Sequence, residues 1–217
     1  MGDDFRNRQC YAGNGAGDAA RLRIQQTILD ALTSFGYSEV SSEAEATRSL
    51  VIGPAGRWIF VGDTTGSTED ADPIAFDALS MAMSTVLPVV DIHMSDSAAV
   101  HIYLYKGGSL VDKYGNAAFP FFSFKTDEEA AEFKGNPDLW AKYLLPPNTA
   151  NDLRAAWVQG WANSILSATA KLFGWDPDLS FVGYTLDDEG LGIKYDEYLQ
   201  LENRQGFTEL HFSIQMT

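Results

Sequence analysis

The stretch VVDIHMSDSAAVHIYLYKGGSLVDKYGN, residues 89–116, decides how the chain is read. Val90, Ile92 and Met94 alternate with Asp91, His93 and Ser95, the period-two pattern of a half-buried strand. Ser95-Asp96-Ser97 supplies a turn, after which Val100, Ile102 and Leu104 alternate with His101, Tyr103 and Tyr105. Gly107-Gly108 suits a two-residue hairpin loop, because both glycines tolerate positive φ. Three antiparallel strands in a meander follow from these spacings.

The register of that meander sets its chemistry. With Asp96 at the centre of the first turn, Asp91 faces His101, and with Gly107-Gly108 as the second turn, Tyr114 faces His101 from the other side. Tyr103 and Asp112 stand one step along the same row. An Asp91–His101–Tyr114 row can hold a proton in place, since a carboxylate beside an imidazole favours the imidazolium. The same row also serves as hydrogen-bonded groups packed beneath a helix. A slip of one residue moves the set to the other face.

Around the meander the chain alternates helices with hairpins. GDAARLRIQQTILDALTSFG, residues 17–36, places Ile24, Ile28, Ala31 and Phe35 at helical spacing between an Asp18 cap and Gly36. YSEVSS at 37–42 reads as a short strand, and SLVIGPAGRWIFVGDTT at 49–65 as a hairpin. Asp72-Pro73 opens a helix that Pro88 stops. TDEEAAEF at 126–133 pairs Thr126 with Glu129 as a capping box, and a helix from Asn136-Pro137 breaks at Pro146. NDLRAAWVQGWANSILSATAKLFG, residues 151–174, reads as the longest helix, with Leu153, Trp157, Trp161, Ile165 and Leu172 on one stripe. Three strands close the chain at 179–186, 191–202 and 207–216. The expected fold is α+β: a mainly antiparallel sheet with the 89–116 meander central and several helices packed on it. Residues 1–17 are expected as a disordered leader and 18–217 as a single domain. The last strand, ending near the end of the chain, offers an edge through which a homo-oligomer could form.

Composition bounds the function. Fractions of 45% hydrophobic and 12% aromatic residues belong to a globular chain rather than a disordered one. There is no apolar run of membrane-spanning length and no signal-peptide pattern, so a cytoplasmic location is expected. The net charge of −15 repels nucleic acid, and the Lys and Arg residues beyond position 100 are scattered singly, so neither nucleic acid nor membrane is expected as a partner. The acids cluster at 63–77 and at 176–217. Such patches steer a basic partner.

No catalytic constellation completes itself. His93, His101 and Asp91 are the candidate metal ligands, but a zinc site needs at least three ligands converging from suitable spacing, and DDEG at 187–190 lacks the twelve-residue calcium-loop pattern. Neither metal nor cofactor is expected. GNGAGD at 13–18 precedes a helix, but no strand is expected before it and no Lys-Ser or Lys-Thr follows, so it reads as a flexible leader. GDTTGSTED at 62–70 carries Thr65 where the aspartic-protease motif needs glycine, and there is no second copy. Cys10, the lone cysteine, excludes an internal disulfide.

The sequence therefore points to a non-catalytic acidic module that binds another protein, one with a basic surface. An immunity or inhibitor-type protein is one version, and a subunit of an assembly another. Tyr103, Tyr105, Asp112 and Tyr114 on the meander, with Asp187, Asp188, Glu189, Tyr195, Asp196 and Tyr198 near the end, form the expected contact surface. The alternative is a small-ligand binder or enzyme built on Asp91, His101 and Tyr114.

Overall fold

A computed structural model describes residues 5–15, 17–63, 73–95, 98–116, 126–180, 185–186, 192–193 and 206–214. Its first element overturns the expected leader. Phe5–Tyr11 (β1), FRNRQCY, is an inner strand paired on both sides. The misleading feature is polarity: Arg6, Asn7, Arg8 and Gln9 look like solvent-facing residues. Asn7, Arg8 and Gln9 are nonetheless buried; Asn7 donates to the Ser180 carbonyl, and Arg8 donates to Ser80 and Asp63.

Gly17–Ser34 (α1) follows, with Ile24, Ile28 and Ala31 buried as their spacing predicts and Phe35, just beyond its end, on the surface. Tyr37–Val40 (β2), Arg48–Ile52 (β3) and Trp58–Asp63 (β4) come next, then Pro73–Ser84 (α2). The meander forms Val89–Ser95 (β5), Ala99–Lys106 (β6) and Ser109–Gly115 (β7). Five helices occupy the next stretch: Asp127–Glu132 (α3), Pro137–Trp140 (α4), Ala150–Ala156 (α5), Ala162–Phe173 (α6) and Pro177–Ser180 (α7). Thr185–Leu186 (β8) pairs with Gly192–Ile193 (β9), and Thr208–Ile214 (β10) closes the described chain. Leu179 and Ser180, expected in a strand, are helical.

The fold is α+β. Eight strands form one antiparallel sheet in the order β2-β10-β3-β4-β1-β5-β6-β7, so the meander supplies three consecutive strands at one end. Period-two alternation sends opposite side chains into two cores. On one face Cys10, Leu50, Ile52, Ile59, Val61, Leu210 and Phe212 pack under α1 and α2. On the other, Trp58, Val90, Ile92, Ile102, Leu104 and Tyr114 pack under α4, α5 and α6, around Trp140, Trp157, Phe173 and Trp175. No helix among the described residues is long and apolar enough to cross a membrane.

Two further expectations change. β10 lies between β2 and β3, so the last strand offers no edge to a second copy; the short β2 covers it. The helix expected over 151–174 is two helices. Tyr114 donates its hydroxyl to the Trp157 carbonyl and Asn116 donates to the Gly160 carbonyl, taking acceptors that a continuous helix would use for its own ladder. Gly160 adopts φ +93 and Trp161 is extended, so the chain turns between α5 and α6.

Because β1 is hydrogen-bonded on both sides, its removal opens the sheet in the middle. A chain lacking residues 1–11 should lose its cooperative thermal transition, followed by near-ultraviolet circular dichroism; an unchanged transition would show that the strand is dispensable.

Candidate functional site

The meander's register differs from the expected one at two points. Ser95 pairs with Ala99, which sets His93 against His101 and Asp91 against Tyr103. Gly107 and Gly108 do form the tight turn, at φ +62 and +79. Beyond it Tyr105 pairs with Leu110 but Leu104 pairs with Asp112, leaving Val111 as a bulge residue. That extra residue inverts everything downstream: Tyr114 faces Ile102 and Gly115 faces His101. Asp91 and His101 share one face of the sheet, and Tyr114 stands on the other. The Asp91–His101–Tyr114 site does not assemble.

Asp91 is sealed beneath α2 and engaged on all sides. Its carboxylate accepts from Arg6 Nε and Nη2, both at 3.3 Å, and from Ser80 Oγ at 2.9 Å. Ser80 accepts in turn from Arg8 Nε at 2.8 Å. Arg8 Nη1 lies 3.0 Å from Asp63 Oδ2, and Arg48 grips Asp63 with two bonds of 3.0 and 2.6 Å. Arg6 also reaches Asp77 on α2 at 2.5 Å. The result is a chain of alternating charge, Arg48–Asp63–Arg8–Ser80–Asp91–Arg6–Asp77, crossing β3, β4, β1 and β5. Burial lowers the pKa of Arg8; for Arg6 and Arg48 burial also lowers it, but the neighbouring aspartates outweigh burial and raise it. Of the acids read as surface charge at 63–77, Asp63 is thus an interior partner of two arginines, and half-exposed Asp77 pairs with Arg6.

The half-buried part of this face holds His101, whose ring centroid is 6.1 Å from His93, 5.1 Å from Phe133 and 6.3 Å from Tyr103. Burial pulls His101 down to about 4, helped by His93 and Arg6 and opposed by Glu129. Burial, then Asp91, pushes Tyr103 up to about 12. The other expected contact residues of the meander are not fully exposed groups either. Tyr105 and Tyr114 are buried, the latter stacked on Trp157 with ring centroids 4.2 Å apart. Half-buried Asp112 accepts from the Asn136 amide and the Trp140 indole. Asp187, Asp188, Glu189, Tyr195, Asp196 and Tyr198 lie outside the described residues.

What the sequence reading missed is a groove at the β7 end of the sheet, about 590 Å³, between α3 and the α5–α6 turn. Its floor is Tyr114, Asn116, Trp157 and Ile165; Asp127, Ala130, Ala131, Phe133 and Lys134 line the α3 side, and Val158 and Gly160 the other. Val158 is 79% exposed and Trp161, on the same turn, 61%. Gly160, in the middle of an otherwise helical pattern, was the signal that could have revealed this turn. Thr126 caps α3 by accepting from the Glu129 amide, which holds Asp127, Glu128, Glu129 and Glu132 exposed on one short helix. Lys113 pairs with Glu132 at 2.8 Å and lies 4.3 Å from the Phe133 ring centroid.

The glycine-rich GNGAGD segment also differs from expectation, since β1 does precede it. Asp18 in the first turn of α1 still opposes an anion there, and Arg57 directs Nη1 to Asn14 and Nη2 to the Tyr143 and Leu144 carbonyls. Among the described residues no cluster of three His, Cys, Asp or Glu is placed to hold a metal ion. Burial pushes the Cys10 thiol up to about 12.

No protein-family model, curated protein or solved structure matches the chain. The geometry alone bears on its function.

The charge chain and His101 each generate a measurable expectation. Asp63→Ala strips the shared carboxylate from two buried guanidinium groups and should cost about 3–5 kcal/mol in denaturant unfolding, whereas Asp77→Ala, at a half-exposed site, should cost less than about 1 kcal/mol; equal costs would refute the buried chain as drawn. For His101 the folded pKa of about 4 lies below the unfolded value. Between the two the unfolded chain binds more protons, so stability falls as pH drops through that window and is level above it. His101→Phe should flatten the thermal midpoint between about pH 4 and 6.5, and an unaltered slope would assign the dependence elsewhere.

Proposed function

We propose that the chain is a non-catalytic protein-binding module that engages a partner with a basic surface. The observation carrying this reading is how carboxylates are distributed. Inside, Asp63 and Asp91 are matched to Arg8, Arg48 and Arg6. Outside, α3 presents four acids in six residues, and the whole chain carries −15. Charge held at the surface in excess of what the fold neutralises raises the encounter rate with a cationic partner and repels nucleic acid. The polar row that favoured a ligand site has its Asp91 end bound to arginine and serine beneath α2, which weighs against acid–base chemistry there. An immunity or inhibitor-type protein that blocks a cationic target fits the reading, as does an acidic subunit of an assembly.

The test is capture of partners on the immobilised full chain at about 0.05 M and about 1 M salt, where screening differs several-fold in range. Captured proteins should be basic and should be released at high salt. Partners of neutral or acidic character, or retention indifferent to ionic strength, would overturn the charge argument.

A further inference from the structure

From the two signs of charge on one wall of the groove at the end of β7, we infer a binding site for a small zwitterion, an α-amino acid with a large apolar side chain. The ligand's carboxylate pairs with Lys134, its ammonium with Asp127, and its side chain lies against Val158 and Ile165. This site goes beyond the partner-binding reading and stands or falls separately from it.

The wall selects the charge. Asp127 and Lys134 both line the α3 side of the groove, both are exposed, and neither is ion-paired among the described residues. A cationic occupant meets Lys134 as a like charge, and an anionic one meets Asp127 in the same way, so a ligand of one sign is opposed by half of the wall. A zwitterion finds an opposite charge for each of its ends.

The floor and the far side select the apolar part. Ile165 and Val158 line the groove there, and Val158 is 79% exposed. Tyr114 is stacked on Trp157 and its hydroxyl is fixed to the Trp157 carbonyl, so the floor is ordered before a ligand arrives. Trp157 adds a donor: it lines the groove, is only 5% exposed, and its indole Nε1 has no hydrogen-bond partner among the described residues. A buried N–H without an acceptor is costly, and a ligand carboxylate is an acceptor that relieves it. The volume of about 590 Å³ falls within the range of small-molecule sites, roughly 300–1,000 Å³.

The test is calorimetric titration of the full chain with L-phenylalanine and L-leucine, with nitrogen-edited NMR spectra to locate the contact. Both should bind, with amide shifts centred on Lys134 and Val158. Glycine, hydrocinnamate and phenethylammonium remove the side chain, the ammonium and the carboxylate in turn, and each should bind about tenfold more weakly than L-phenylalanine or not at all. Lys134→Gln should weaken L-phenylalanine about tenfold and spare phenethylammonium, while Asp127→Asn should weaken it about as much and spare hydrocinnamate. Val158→Asp should weaken both amino acids. These three positions are exposed, and unchanged thermal midpoints verify folding. Absence of heat and shifts up to about 10 mM ligand, shifts centred elsewhere, variants without effect, or singly charged analogues binding as well as the amino acids would overturn the site. Salt-dependent capture of a basic partner is untouched by any of these outcomes.

Discussion

Asp63 holds two guanidinium groups at once, and the arrangement of the sheet follows from that pairing. Its carboxylate lies at the end of β4, Arg8 reaches it from β1 and Arg48 from β3. All three side chains are fully removed from solvent, where an isolated charge costs several kcal/mol, so each strand is tied to the register that brings its charge to the other two. A shift of β1 by one residue would turn Arg8 toward the aromatic core and strand Asp63 beside Arg48 alone. Replacing such a network by apolar groups of equal volume is often neutral for stability; its effect is to make alternative pairings expensive. The Ser80 hydroxyl extends the constraint to α2, since it accepts from Arg8 and donates to Asp91.

That interior use of charge determines what remains for the surface. The face of the meander that carries Asp91 is largely a structural face, with its acid engaged and its histidine desolvated. Among the described residues, acids that stay in water include Asp30 on α1, Glu39 on β2 and Glu209 on β10, and α3 concentrates four of them on one short helix beside the groove. Fold and function thus divide the carboxylates between them: those opposite arginines hold strands together, and those on α3 face outward toward whatever the molecule meets.

Val111 shows how small a local feature can be and still redirect chemistry. The turn at Gly107-Gly108 is as its glycines require, and the pairing next to it is as counted from that turn. One bulge residue then inverts the face of every following side chain, carrying Tyr114 from the histidine row into the aromatic core against Trp157. From there its hydroxyl caps the end of α5, and the turn it helps to create is what lifts Val158 and Trp161 into solvent.

Local periodicity in the chain determined the α+β class, the meander, α1, the β3–β4 hairpin, the capped start of α3 and the alternation of apolar residues toward a core, because each depends on neighbours two to four residues away. The tertiary structure decided everything that depends on a distant partner. β1 reads as a polar leader until Asp63, Ser80 and Asp91 stand opposite its arginines. The 157–161 break reads as helix until Tyr114 and Asn116 take its carbonyls. Asp91, His101 and Tyr114 form one row until a bulge separates them. Hydrogen bonds and ion pairs between residues far apart in the chain leave no periodic trace, and in this protein those long-range partners choose which polar residues are interior.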